Sequence, residues 1–266
     1  MEYSIHSYTK KGKLHTNNED CHFICDEYVI VADGMGGESD GDIASRIAVE
    51  SIVSILSKDI AEVSSDSDIK DLSNKAIYKA DSNISEYIDE HPDSFGMGTT
   101  VLLAIRKDDR LYISWCGDSH CYFYKDGKLN SITKDHSYVQ DLIDSGIISI
   151  EESYAHPDNN LITRYVGGGK DICIPDFCSH KISGSEIVIL CSDGLSGYCQ
   201  MKDIENMIAI NRDLAKLPSD LLDFAIQQGS DDDITIVVLY PNTYGLVKKG
   251  NKILKWLKKM MHVYRL

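Results

Sequence analysis

Hydrophobic positions along this chain switch between two periods. Residues 28–32 (Tyr28, Val29, Ile30, Val31, Ala32) form an apolar run of strand length that stops at Asp33. Beyond a glycine turn, Ile43, Ala44, Ile47, Ala48, Ile52, Ile55 and Leu56 recur at helical spacing, which predicts a helix over about Asp42–Ser57. A second helix is expected over Asp68–Glu90, ended by Pro92. Strands are expected at Glu2–Tyr8, Cys21–Cys25, Tyr28–Ala32, Thr100–Ile105, Leu111–Trp115, Cys121–Tyr124, Lys128–Ile132, Ile172–Cys178, Glu186–Cys191 and Ile234–Tyr240. Asp126-Gly127 marks a hairpin turn. Two further helices fall at Met201–Ile210 and Ser219–Gln228. Hairpins dominate and strands do not alternate regularly with helices, so antiparallel sheets flanked by helices follow. Residues 133–170 break both periods and read as a flap inserted between strands.

Composition narrows the function classes. The 266 residues carry a net charge of -15, and 42% are hydrophobic, as expected for a folded globular chain with no nucleic-acid partner. All 42 acidic side chains lie in residues 1–240, with 20 of the 27 basic ones. The eight cysteines form no CxxC pair, which disfavours structural zinc. The N-terminus lacks the apolar core of a signal peptide, and no run approaches the roughly eighteen apolar residues of a membrane span. A cytoplasmic protein with reduced thiols is expected. Residues 241–266 hold seven basic and no acidic side chains. On a helical wheel Ile253, Leu254, Trp256, Leu257, Met260, Met261 and Tyr264 oppose Lys252, Lys255, Lys258, Lys259 and Arg265. Such a tail suits docking on the domain, a membrane surface or a partner.

The chemistry sits where strands stop. Acids fall at strand ends at Glu19-Asp20, Asp33, Asp118, Asp193 and Asp231–Asp233. A buried carboxylate is costly unless it is paired, hydrogen-bonded or metal-bound. In the hairpin of residues 21–32, Glu19-Asp20 and Asp33 meet at one sheet end. An all-oxygen donor set suits magnesium or manganese. Two such cations can lower the pKa of a shared water and orient it for attack on phosphorus.

The motifs NNED (17–20), VADGMGG (31–37), GMGTT (96–100), CGDS (116–119), DHSYVQDLIDSGIIS (135–149), HPDNNLITRYVG (156–167), LCSDGL (190–195) and DDDIT (231–235) occur in one order. Together they resemble the metal-dependent serine/threonine protein phosphatases of type 2C, in their bacterial branch. The resemblance covers residues 1–240. It implies an α+β fold, a four-layer α-β-β-α sandwich of two mainly antiparallel sheets flanked by helix pairs with a flap. It also implies hydrolysis of phosphoserine or phosphothreonine by a water between two metals, without a phosphoenzyme. Asp33 would bridge two Mn2+ or Mg2+ ions, with the Gly34 carbonyl on one and Asp193 and Asp232 on the other. Glu19 and Asp20 would act through water or by direct contact, and Asp118 would hold a third, weaker ion. The catalytic set is Asp33, Asp20 and His15. Phosphoproteins made by a serine/threonine kinase are the implied substrates of a monomer.

Three positions depart from the family pattern. His15 stands where an Arg usually grips the substrate phosphate, and His lacks the bidentate fork and permanent charge. Weaker phosphate binding, improving below about pH 6.5, follows, unless Lys11 or Lys13 substitutes. Asp233 stands where Asn is usual, and His120 where Arg often follows GDS. Met35 offers no general acid. His136, His156 and Arg164 read as solvated flap residues, and Gly167–Gly169 as a hinge before a phosphate cradle. No Cys has an Arg six positions later and no GxxxxGK[ST] loop occurs, which excludes cysteine-phosphatase and P-loop chemistry. The alternative is a pseudophosphatase that binds phosphoproteins without turnover.

Overall fold

The computed structural model describes residues 2–13, 15–36, 40–153 and 155–242. The basic segment beyond Asn242 lies outside the described residues. In chain order the elements are β1 (Tyr3–Lys10), β2 (Asp20–Ile24), β3 (Tyr28–Met35), α1 (Gly41–Asp59), α2 (Asp66–Glu90), a 3-10 turn (Pro92–Ser94), β4 (Gly98–Thr99), β5 (Val101–Lys107), β6 (Arg110–Cys116), β7 (His120–Lys125), β8 (Lys128–Ser131), α3 (Tyr138–Asp144), α4 (Ile150–Ser153), β9 (Asp176–Lys181), β10 (Ile187–Cys191), α5 (Asp193–Ser196), α6 (Met201–Ile210), α7 (Leu217–Gln227) and β11 (Ile234–Pro241). One sheet has the order β1-β11-β10-β7-β8, the other β2-β3-β5-β6-β9 with β4 on β3. All the named pairings are antiparallel.

Strand parity builds the layers. Side chains alternate faces along a strand, and the strands here are apolar on both. Tyr28, Ile30 and Ala32 of β3, with Val101, Leu103 and Ile105 of β5, meet α1 and α2 through Ala44, Ala48, Ile52, Ile69, Ala76 and Ile84. Val29, Val31, Leu102 and Ala104 point the other way, onto Phe123, Val188, Leu190, Val237 and Leu239 of the second sheet. That sheet's outer face, Ile187, Ile189, Ile236 and Val238, packs on Ile204 and Ile208 of α6 and Leu221 and Ala225 of α7. Three apolar interfaces thus separate four layers, as the resemblance implied. Continuous apolar runs in β3, β5, β10 and β11 reflect burial on both faces.

Two local features differ from the expectation. Strand β3 does not stop at Asp33: it runs through Met35, because Gly34 and Met35 pair with Thr99 and Gly98 of β4. Residues 172–175 are not strand. Ile172 and Cys173 close a turn onto the Gly169 carbonyl at 3.0 and 2.8 Å, and β9 begins only at Asp176. Cys173 is buried in the core that α1 and α2 share with the first sheet, from a turn and not from a pleat. Residues 133–170 contain α3 and α4, as expected of a segment with short helical stretches; the bridge Ser137↔Ile162 closes the segment on itself and Thr99↔Val166 ties it to β4.

Antiparallel pairing sends the acids to one edge. Strand β10 runs antiparallel to both β7 and β11, so its exit, leading to Asp193, lies beside the entries to those strands at Asp118 and Asp232. In the other sheet the exit of β3 at Asp33 lies opposite the start of β2, with Asp20 and Asp33 direct partners. The turn 117–119 crosses from β6 in one sheet to β7 in the other at this same edge.

Candidate metal centre

The carboxylates at this edge are buried beside one another. Asp20 and Asp118 are each 8% exposed. Asp20 Oδ2 accepts the Ser192 hydroxyl at 2.7 Å across the gap between the sheets. Ser192 Oγ in turn accepts the Thr235 amide at 2.9 Å, tying β10, β11 and β2 together. Asp33 is fixed through its backbone. Its amide donates to Thr100 Oγ1 at 3.0 Å, and its carbonyl accepts the Thr100 amide and the Thr99 hydroxyl, both at 2.8 Å. Thr100 Oγ1 also bonds Ser119 Oγ at 2.7 Å, which locks the Asp118 turn to the Asp33 strand.

Electrostatics marks these acids as one unit. Burial, then the charges of Asp20, Asp193, Asp118 and Asp232, hold Asp33 well above the usual carboxylate range. Burial pushes Asp20 and Asp193 up to about 7, and the neighbouring acids add to it. Asp118 is pushed up to about 6 by burial and by Asp135. Glu19 and Asp232 are raised as well, chiefly by burial. A fold that gathers so many carboxylates without cations in reach carries strong self-repulsion.

The donor set fits hard divalent cations. It consists of oxygen atoms, and Asp20 Oδ1 is buried without a hydrogen-bond partner among the described residues. So is Asp42 Oδ1, in the first turn of α1, whose charge is felt by Glu19. Asp42 escaped the sequence reading, because a first-turn acid looks like an ordinary helix-dipole residue. Gly34 has a packing reason beyond its carbonyl. A Cβ there would lie 2.0 Å from the Gly41 carbonyl oxygen and 2.7 Å from that of Glu19. Glycine therefore allows β3, α1 and the Glu19 segment to converge.

The departures at 15 and 233 meet in space. His15 Nδ1 lies 2.8 Å from Asp233 Oδ2 and 3.8 Å from Asp232 Oδ1. These three residues bring potential ligand atoms within 4.8 Å of one another. The hydrogen bond to the Asp233 carboxylate, outweighing burial, raises the His15 pKa above its ordinary value. Lys11 is engaged elsewhere, its Nζ donating to the Gly12 and His15 carbonyls at 3.1 and 2.5 Å.

Other sequence candidates have structural partners. His120 Nε2 pairs with Asp135 at 3.0 Å, so a histidine replaces the expected arginine in an ion pair. His136 is 2% exposed: Nδ1 accepts the Gly117 amide at 3.1 Å, Nε2 faces Asp176 at 3.2 Å, and Trp115 stacks on its ring. It supports the Asp118 turn from beneath and is not a solvated flap residue. Arg164 also pairs with Asp176, at 3.2 Å, and His156 faces Asp158 at 3.9 Å. The Gly167 and Gly169 amides donate to Asp81 Oδ1 of α2 at 2.8 and 3.1 Å, which removes those amides as phosphate donors. Beside the centre, under the flap, lies a cavity of about 350 Å3 lined by Asp118, Asp193, His120, Asp135, Gln140 and Asn159 among others.

The chain thus sets an acidic, oxygen-lined edge between the two sheets of a four-layer sandwich, with residues 133–170 beside it. Residues 15–232 match the protein phosphatase 2C family, and the chain belongs to that family. It is 32% identical over 231 residues to the serine/threonine protein phosphatase PstP of Mycobacterium tuberculosis, covering 86% of this chain and 43% of that one. The chain thus spans under half the length of that relative. It is 30% identical over 247 residues to the serine/threonine phosphatase stp of Listeria welshimeri, covering 91% and 96%. Among solved structures it resembles the catalytic domain of PstP in complex with two manganese ions, with TM-score 0.79, 28% identity and coverage of 90% and 98%.

Proposed function

We propose that this chain is a protein serine/threonine phosphatase that hydrolyses phosphoserine and phosphothreonine with two Mn2+ or Mg2+ ions. Residues 1–240 form the catalytic domain, with 133–170 as its flap. The observation that carries the reading is the gathering of Asp20, Asp33, Asp118, Asp193 and Asp232 where the two sheets meet, with a buried Asp20 oxygen that has no hydrogen-bond partner among the described residues. Asp33 feels the charges of acids from both sheets and would be shared by the two cations. Asp193 and Asp232 would hold one ion. The Gly34 carbonyl, Glu19 and Asp20 would serve the other, and Asp118 a third and weaker one. When bound, the cations neutralise the carboxylates and activate water for attack on phosphorus.

The protein's own groups do the rest. Ser192 and Thr100 hold the acids in place so that little reorganisation is needed. His15, beside Asp232, is the cation placed to meet the substrate phosphate. Its raised pKa moves the window of phosphate binding above the reference value of about 6.5. The flap cavity gives a place for residues flanking the phosphorylated one. Substrates are phosphoproteins produced by a serine/threonine kinase, and the working form is a monomer in the cytoplasm. Among the described residues no helix is long and apolar enough to cross a membrane. A membrane-surface or partner role for residues 241–266 rests on their charge pattern alone. Co-sedimentation with anionic vesicles, with and without that segment, tests the membrane reading, and equal binding overturns it.

Manganese-dependent hydrolysis of p-nitrophenyl phosphate, lost in Asp33→Ala and Asp193→Ala, tests the main reading. A well-folded wild type that shows no turnover with manganese favours the pseudophosphatase instead.

A further inference from the structure

Asp233 is the most completely engaged carboxylate at the site. It is 2% exposed. Its Oδ1 accepts the Gly12 amide at 2.6 Å, and its Oδ2 accepts the Glu19 amide at 2.6 Å and faces His15 Nδ1 at 2.8 Å. Three groups converge on two oxygens, and the two amides can only donate. An Asn here would turn its NH2 toward a donor at one end or the other, leaving a buried polar group opposed. The aspartate also fixes the imidazole: with Nδ1 protonated toward Oδ2, Nε2 is the ring's remaining polar atom.

The segment carrying His15 is laid along the entry to β11. A Cβ on Gly12 would lie 2.4 Å from the Asp231 carbonyl oxygen, and the Lys13 amide donates to that same oxygen at 2.8 Å. The His15 side chain, by contrast, is 35% exposed. Its ring gains its place beside Asp232 from the bond to Asp233, and without it would sample other rotamers at an entropic cost to every binding event.

We propose that Asp233 is a positioning residue for His15: its buried carboxylate, anchored by the Gly12 and Glu19 amides, holds the imidazole by Nδ1 so that the ring faces the phosphoryl group of the substrate. This rests on the phosphatase reading above. Asp233 therefore has two separable effects, one on phosphate recognition through His15 and one on the metal-binding segment through the Glu19 amide.

The test is a double-mutant cycle with wild type, Asp233→Asn, His15→Ala and the double variant. KM and kcat are measured on a phosphothreonine peptide, together with the manganese concentration for half-activation and Tm for each. In the His15 background, Asp233→Asn is expected to raise KM by about ten-fold, the worth of a hydrogen bond to a charged group. In the His15→Ala background it leaves KM unchanged, while the manganese requirement shifts equally in both. An equal KM increase in both backgrounds, or none in either, overturns the positioning role and makes Asp233 a staple of the Gly12 and Glu19 backbone only. A wild type without turnover overturns the phosphatase reading instead, so the two failures are distinct.

Discussion

Removing the divalent cations turns the active edge into a pH-dependent liability. Asp20 and Asp193 sit at about 7 in the fold and Asp118 at about 6, against about 3.9 for Asp in an unfolded chain. Between those limits the folded, cation-free protein holds protons that the unfolded chain has released. A carboxylate with a raised folded pKa lends stability at low pH and withdraws it as pH rises through the folded value. Each retained proton lowers the unfolding free energy by about 1.4 kcal/mol per pH unit. Because the acids titrate as a set, the count belongs to the cluster. One retained proton between about pH 5.5 and about pH 7.5 costs about 3 kcal/mol. For a domain of this size that is a fall of roughly 6–12 °C in Tm. His15, also raised, acts in the same direction. Glu186 opposes it only in acid, since Lys125 and Ser183, overriding burial, hold it at about 2. The assay is differential scanning calorimetry of EDTA-stripped protein across this range, repeated with manganese, which should flatten the slope by replacing protons at the carboxylates. Asp193→Asn should make the metal-free protein more stable at the upper end. A metal-free Tm that is flat or rises with pH would refute the electrostatic reasoning.

Ser192→Ala removes the hydroxyl donor to Asp20 and the acceptor of the Thr235 amide. A loss of about 1–3 kcal/mol in urea unfolding is expected, with weaker manganese activation. Asp81→Ala leaves the Gly167 and Gly169 amides without their acceptor. Faster hydrogen exchange at residues 167–169 and about 2 kcal/mol of destabilisation should follow. KM for a phosphopeptide should climb as pH rises through the His15 pKa, whose raised value keeps the ring cationic above about 6.5. His15→Arg should lower KM at about pH 8 and flatten that profile, since guanidinium stays charged, and an unchanged KM counts against phosphate contact by His15.

Periodicity predicted antiparallel sheets flanked by helices, with Ala44, Ala48 and Ile52 on the face of a helix that packs on one of them, while the four-layer order followed from the family resemblance. The extension of β3 through Met35 was not legible, because its partner β4 is two residues long and shows no alternation. Ile172 and Cys173 read as strand because burial in a turn and burial in a sheet select the same residue types. The sequence resemblance put an ionic role on Asp232, but propensity alone does not separate three consecutive aspartates. Their division of labour comes from backbone direction: Asp231 Oδ1 accepts the Tyr198 hydroxyl, Asp232 faces the centre, and Asp233 turns inward onto Gly12, Glu19 and His15. His136 and Asp81 were misread or missed for a related cause. Each serves backbone amides distant in sequence, Gly117 for one and Gly167 and Gly169 for the other, and no local pattern reports such bonds.

The central claim is that carboxylates of both sheets, joined at Asp33, hold the cations that drive phosphoester hydrolysis. Phosphate release from a phosphothreonine peptide, followed while EDTA-stripped protein is titrated with manganese and bound metal is counted in the same samples, tests it most directly. Turnover should rise with occupancy of two ions in the wild type and be absent in folded Asp33→Asn at every manganese concentration. Turnover without bound metal, or undiminished turnover in Asp33→Asn, would contradict the account.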